Sequence, residues 1–219
     1  MRWSGPTFFA LLLLLAAIAA LGGCGGSDSA SPTSPTTPAV PLTNVAELLR
    51  ERNLGSDTAP VTIVQYSSLT CPHCATFHQA TWPLIKATYV DTGKARLVYR
   101  DFPIDSLALT GASLARCAGA SRFFEAIDIL YRQQSAWSSS ADPKAAMKQA
   151  LAPLGMTSGQ MDSCLASTEL QAGILQVKQD GQSRDGITSV PSFIINGRKL
   201  VGALPFTTFD EVIKSFLPQ

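Results

Sequence analysis

The feature that most constrains this chain of 219 residues is Cys71-Pro72-His73-Cys74, set between a β-branched stretch and a helical one. Val61-Thr62-Ile63-Val64-Gln65-Tyr66 reads as a strand buried on both faces. Ala75 to Val90 reads as a helix with Pro72 near its first turn, where a missing N–H costs nothing. Pro83 lies deeper in that helix and is expected to kink it. A cysteine at such a helix start sits where unsatisfied N–H groups and the helix dipole favour negative charge. Its thiolate is then both a competent nucleophile and a good leaving group. Cys74, one turn later, is expected to be more buried and to attack a mixed disulfide formed at Cys71. His73 can donate a hydrogen bond or a positive charge to the same thiolate.

Other uses of the pair fit the sequence less well. An attached c-type haem needs a histidine directly after the second cysteine, and Ala75 stands there. Zinc could use Cys71, Cys74 and His78, but Cys117 and Cys164 lack ligand spacing, so no metal is expected. An inert structural disulfide is a further reading. His78 otherwise reads as a helix-surface residue.

The flanks set the compartment. Arg2 precedes an apolar run from Phe8 to Leu21, the length of a signal-peptide core and short of the ~20 residues of a spanning helix. Leu21-Gly22-Gly23-Cys24 resembles a bacterial lipobox, whose cysteine carries the lipid. Cleavage near Ala19 or Ala20 and an uncleaved short anchor are the alternatives, and all three export the rest of the chain. Gly25 to Pro41, rich in Gly, Ser, Thr and Pro, cannot bury enough apolar surface to order itself and reads as a flexible tether. Setting Cys24 aside leaves four cysteines, an even number in an oxidising compartment. Four cysteines allow three pairings, of which one keeps the close pair together. The formal net charge of +1 carries no concentrated basic patch and argues against a nucleic-acid partner.

Along the rest of the chain, Thr43 is placed to cap a short helix through Val45, Leu48 and Leu49, ended by Gly55. Asp91-Thr92-Gly93 ends the helix after the cysteines, and Ala95 to Arg100 is a second strand, giving a parallel crossover. Between about Ser106 and Gly181 five helices and no strand are expected: Leu107 to Ala118, Phe123 to Gln134, Pro143 to Leu154, Ser158 to Ala166 and Glu169 to Asp180. Ser192 to Ile195, the Asn196-Gly197 turn and Arg198 to Val201 form a strong hairpin signal, followed by a helix from about Thr207 to Phe216. The domain plan is a lipoprotein-type signal peptide at 1–23 and a tether at 24–42. An α/β domain follows at 43–105 and 182–219, interrupted by a helical insertion at 106–181. Trp82, Tyr89, Phe123, Phe124, Tyr131 and Trp137 read as core or half-buried aromatics.

On these residues the chain resembles the DsbA-type family of bacterial thiol oxidases, within the thioredoxin superfamily. The resemblance runs from about Asp57 to Gln219. It rests on Ala59-Pro60-Val61-Thr62-Ile63-Val64, Cys71-Pro72-His73-Cys74, Asp91-Thr92-Gly93, Arg100-Asp101-Phe102-Pro103, and Thr188-Ser189-Val190-Pro191-Ser192-Phe193 with Asn196-Gly197. It implies a thioredoxin-like fold, a cis peptide at Val190-Pro191 against the cysteine pair, and substrate contacts through the Val190 backbone. It implies no cofactor beyond the redox disulfide itself. Implied partners are exported proteins with free thiols and a membrane redox partner, for a monomer tethered in the cell envelope or periplasm through Cys24. Members of this family often carry a buried acid six places before the first cysteine as a proton acceptor for the second. Gln65 stands there instead, and its bland reading is a satisfied buried amide. Cys117 and Cys164 read as a structural disulfide, with free buried cysteines as the alternative, and some family members similarly carry a second pair. Oxidation of exported thiols through Cys71 is the leading expectation. A reductase or isomerase, and a non-catalytic module binding peptide or metal, are its rivals.

Overall fold

In a computed structural model of the chain, residues 44–218 are described, so the signal peptide, the tether, Cys24 and Thr43 lie outside the described residues. Helix α1 is Val45–Leu49, and its cap is Asn44, whose side chain accepts from the Glu47 N–H. It ends at Arg50 rather than at Gly55. A strand that the sequence does not announce, β1 at Arg52–Leu54, fills the gap and pairs antiparallel with β3, Ala95–Asp101.

β2, Val61–Ser67, is the middle strand of a five-stranded sheet ordered β1-β3-β2-β4-β5. It runs parallel to β3, with the helical stretch 72–90 between them, and antiparallel to β4, Ser192–Ile195. β4 pairs with β5, Arg198–Val201, across Asn196 and Gly197, both with positive φ (43° and 92°), as the turn signal predicts. The Asn196 side chain also accepts from the Thr62 N–H (2.8 Å) and donates to the Pro60 carbonyl (3.0 Å). One hairpin tip thus fixes where β2 begins.

Two layers cover this sheet. Val61, Ile63, Leu97, Phe193 and Ile195 pack against Phe77, Trp82 and Ile85 of the 72–90 stretch and against Phe209 and Ile213 of α10, Phe206–Lys214. On the other face Tyr66 packs with Phe102 and Ile187. A Cβ at Gly181 would come within 2.5 Å of the Tyr66 ring, so glycine lets the helix Thr168–Asp185 (α9) approach the sheet there.

Between β3 and β4 lie α4 (Ser106–Cys117), α5 (Phe123–Arg132), α6 (Gln134–Ser138), α7 (Pro143–Leu151), α8 (Ser158–Ala166) and α9 (Thr168–Asp185). Asp142 and Thr157 accept from N–H groups of the first turns of α7 and α8, and a short 3₁₀ turn at Ala152–Leu154 follows α7. α9 runs past position 181 to Asp185, where Gly186 closes it with φ 60°. These helices share an apolar core with α1 that includes Leu48, Leu69, Phe123, Leu130, Trp137 and Ile174. Cys117 and Cys164 join the end of α4 to α8 as a disulfide.

A buried ion pair ties this helical body to the sheet. Arg116 on α4 donates from Nε to Asp101 on β3 (2.7 Å) and from a terminal nitrogen to the Leu48 and Arg50 carbonyls (2.7 and 3.2 Å). Arg52 donates to the Glu47 and Leu48 carbonyls, so the last carbonyls of α1 are satisfied by two arginines. Both guanidinium groups lie over the Phe123 ring, at 5.6 and 5.7 Å from its centroid. That arrangement explains why a strand as polar as Arg52–Leu54 is held in place.

Candidate active site

β2 ends at Ser67, and four residues later Cys71 is the N-cap of helix α2, Pro72–Thr76. The Cys71 N–H returns to the Ser68 carbonyl (3.1 Å), and the Cys71 carbonyl accepts the first helical bond, from Ala75 (3.2 Å). Gln134 on α6 donates its amide to the Leu69 and Cys71 carbonyls (2.6 and 3.0 Å). The loop that aims Cys71 is therefore clamped from the helical body. Sequence reading misses Gln134, because nothing local marks a glutamine sixty-three positions away as a partner of this loop.

Beyond Thr76 the stretch does not stay a regular α-helix. Phe77–Thr81 and Lys86–Val90 are π turns flanking α3, Trp82–Ile85. The Trp82 N–H bonds the Phe77 carbonyl five residues back, and Pro83, which has no N–H to give, falls in the first turn of α3. Around Pro83, where a kink is expected, the helix is widened by a π turn on either side. The widening also changes which side chains face inward. Phe77 and His78 are both buried, and the surface position expected for His78 is wrong. The His78 ring lies against that of Tyr131 (4.8 Å between centroids), with Nε2 3.1 Å from Asp128. Burial lowers the His78 pKa while Asp128 opposes the shift.

Cys71 and Cys74 are both thiols in this structure, Cys74 fully enclosed and Cys71 only 5% exposed. A hydrogen bond from the Cys74 thiol brings Cys71 down to about 6. Against the opposing effect of burial, the Cys74 and His73 backbone N–H groups and then the His73 charge act in the same direction. Cys74 moves the other way, pushed up by burial and by its bond to Cys71. His73 itself is exposed. One thiol of the pair is thus prepared to ionise near neutrality and the other to stay protonated.

The chain passes from Val190 to Pro191 through a cis peptide bond. Pro191 is buried, its carbonyl accepts from the Gly202 N–H (2.8 Å), and the Cys71 thiol points at the Val190 carbonyl (3.5 Å). The fold thus joins two motifs 119 positions apart in one site.

Below Cys74 lies a set of buried hydroxyls that sequence reading treats only as core. Tyr99 on β3 and Tyr131 on α5 are 3.1 Å apart at their hydroxyls, and Tyr131 donates to Ser67 (2.8 Å). Ser67 in turn hydrogen-bonds Cys74, which also receives the Ser68 N–H. Gln65 is buried as expected, but its Nε2 has no hydrogen-bond partner among the described residues. The bland reading of a satisfied amide fails for that atom.

Residues 48–215 match the thioredoxin family model. A Rickettsia prowazekii protein, assigned by name to the protein-disulfide oxidoreductases, is 32% identical over 66% of this chain and 53% of its own length. The chain spans about half the length of the curated relatives of this kind that it matches. The crystal structure of Wolbachia pipientis alpha-DsbA1 superposes with a TM-score of 0.71 and 26% identity, over 81% of this chain and 92% of that one. A protein-disulfide isomerase from Novosphingobium aromaticivorans shares the fold, with a TM-score of 0.67 at 23% identity, over 77% of this chain and 98% of that one. With a thioredoxin-like sheet, a cysteine pair opening a helix and a cis-proline beside it, the chain belongs to the DsbA-type family of the thioredoxin superfamily.

Proposed function

We propose that this protein is a thiol:disulfide oxidoreductase that works as an oxidase, introducing disulfides into exported proteins through Cys71 and Cys74. The observation that carries the reading is the opposed preparation of the two thiols. Cys71 is held near 6 and is a stable leaving group, so the reduced form is favoured and the disulfide gives up its bond readily. In the cycle, a substrate thiolate attacks Cys71 of the oxidised pair and Cys74 leaves. A second substrate thiolate then attacks the substrate sulfur of the mixed disulfide, releasing Cys71 as thiolate and the substrate as disulfide. Val190 and Pro191 line the approach to Cys71, which suits backbone contacts to an extended substrate segment.

The same reading places the protein outside the cytoplasm, tethered by a lipid on Cys24 and recharged by a membrane redox partner. Cys117–Cys164 serves as a structural bridge. Labelling with palmitate is expected to mark the wild type and not Cys24→Ala. The deciding measurement for direction is the reduction potential of the Cys71–Cys74 pair. A value more oxidising than about −180 mV supports an oxidase, and a value near about −270 mV overturns that direction in favour of a reductase. Absence of both insulin reduction and refolding of scrambled ribonuclease would replace either reading with a binding module.

A further inference from the structure

Cys74 has to exist as a thiolate whenever the Cys71–Cys74 bond is made or broken, yet it is fully enclosed. An isolated buried anion is costly, so something in the enclosure has to favour it in the transition state. Gln65 holds the place of an acid but is a neutral amide and cannot take the proton. Ser67 is hydrogen-bonded to the Cys74 sulfur, Tyr99 and Tyr131 pack in the same buried cluster as Cys74, and the direction of their hydroxyl bonds follows from counting protons. A phenol has one proton to give, and Tyr131 gives its own to Ser67 (2.8 Å). The 3.1 Å contact between Tyr131 and Tyr99 is then a donation from Tyr99. Ser67 accepts from Tyr131, which leaves its single proton for the Cys74 sulfur.

We propose that Tyr99, Tyr131 and Ser67 form a one-way chain of hydroxyl donors ending on Cys74, which stabilises the buried thiolate as the active disulfide opens and closes. Each donation in a chain polarises the next, so the last donor is stronger than a lone serine. Ser67 touches the reacting atom and is a catalytic residue; Tyr131 and Tyr99 act through it and are positioning residues. The inference rests on the oxidoreductase reading and is independent of redox direction. When a substrate thiolate attacks Cys71, the S–S bond breaks and its electron pair goes to Cys74, where the Ser67 O–H meets it. In reverse, the Cys74 lone pair forms the bond to Cys71 as the substrate sulfur leaves, and the departing substrate sulfur takes up the Cys74 proton.

The ionisable groups around the chain do not replace it. Both tyrosines are held well above their usual range, chiefly by burial, and donate without ionising. Asp101 is committed to Arg116, and His78 packs on the Tyr131 ring with Asp128 on its far nitrogen. Cys71 and His73 complete the set on the helix side.

An aromatic disulfide, dithiobis(nitrobenzoate), separates the two cysteines in one experiment. The reduced protein releases a first thionitrobenzoate when Cys71 attacks and a second when Cys74 displaces it from Cys71. The first phase is expected to keep its rate and pH profile in Ser67→Ala and Tyr131→Phe. The second is expected to slow about tenfold in Ser67→Ala and about threefold in Tyr131→Phe, with its pH profile displaced upward. Ser67→Thr, which keeps the hydroxyl, restores the second phase. Second-phase profiles that overlay the wild type in both variants overturn the inference, as does slowing without any displacement, the mark of a packing defect alone. Absence of a second phase in the wild type would instead overturn the oxidoreductase reading itself.

Discussion

Two pairs of cysteines in one chain are placed by opposite rules. Cys117 and Cys164 stand 47 positions apart, one ending α4 and the other inside α8, and their bond closes a long loop between two packed helices. Cys71 and Cys74 are three apart, and whatever loop they close is minimal. One pair acts on the unfolded chain, by removing conformations that a 47-residue loop could otherwise visit. The other acts on the folded chain, where N–H groups and a neighbouring thiol reward the open, ionised state. A cysteine's role here follows from what surrounds its sulfur when the bond is open. At Cys71 the surroundings include a thiol and two N–H groups that favour the thiolate; Cys164 is fully buried as half of a closed bridge.

The largest effect that can test this contrast is loss of chemistry without loss of fold. Cys71→Ser is expected to bring disulfide transfer to background while leaving the fold intact, at a cost to the reduced protein at pH 7 of no more than about 1.4 kcal/mol, the stabilisation its thiolate supplies. Cys74→Ala is expected to accumulate a mixed disulfide when its Cys71 thiolate attacks a substrate disulfide and the other substrate sulfur leaves as thiolate, seen as a covalent adduct by mass spectrometry. Retained transfer in Cys71→Ser would remove the distinction between the pairs.

Next comes the bridge. Replacing Cys117 and Cys164 by serine is expected to cost about 4 kcal/mol by the chain-entropy estimate for a loop of this length. Turnover per folded molecule stays close to wild type. Denaturant unfolding and insulin reduction on the same samples check both halves, and a bridge-free protein with intact stability but lost turnover would reverse the assignment. The bridge is also expected to resist mild reductants that open Cys71–Cys74.

A smaller and sharper effect is the dependence of the reduced form on pH. Cys71 titrates at about 6 when folded and near 8.5 when unfolded, so its thiolate stabilises the fold fully above the unfolded value. That contribution is lost as pH falls through 6. Between pH 5 and 7 the reduced protein is expected to gain about 1.3 kcal/mol relative to the oxidised one, with Cys117–Cys164 closed in both. Above about 8.5 the sign of the Cys74 contribution opposes this, because its folded pKa is raised and the unfolded chain ionises first. Urea titrations of both redox forms between pH 5 and 8 read the gain directly. A reduced form whose stability is flat over that interval would sink the thiolate account.

What the sequence discloses follows the reach of each signal. The Cys71-Pro72-His73-Cys74 start, the Asn196-Gly197 turn and the helix opened by Asp142 are local devices, each legible within a few residues. The cis-proline at 191 is legible only through family resemblance, since a proline heading a strand has an ordinary reading too. β1 is missed because three residues with a buried arginine carry no period, and its strand state comes from pairing with β3 and from carbonyls of α1 that Arg52 satisfies. His78 is misplaced because the π turn at Phe77–Thr81 departs from the 3.6-residue phase of a regular helix, and Phe77 and His78 are both buried there. The hydroxyl chain is invisible for a plainer reason. Ser67, Tyr99 and Tyr131 come from three elements up to 64 positions apart, and a buried tyrosine looks like core until its partner is known.

The smallest effect concerns His73, whose place between the cysteines makes it look like the tuning residue. Geometry ranks it differently. The hydrogen bond from the Cys74 thiol is the largest contribution to the lowered Cys71 pKa, two backbone N–H groups follow, and the His73 charge comes after them. One of those N–H groups belongs to His73 itself and survives any substitution at that position. His73→Ala is therefore expected to raise the Cys71 pKa by less than about one unit, equivalent to less than about 1.4 kcal/mol. The protein becomes a slightly weaker oxidant. Alkylation rate against pH measures the shift. His78→Ala provides the contrast, since that ring is buried against Tyr131 and its loss leaves a cavity. It is expected to cost stability, by about 1–3 kcal/mol, and to leave the Cys71 titration where it was. If His73→Ala instead returned Cys71 to the pKa of a free thiol, the side chain and not the helix start would set the chemistry. The two cysteine pairs would then differ by one residue and not by their place in the fold.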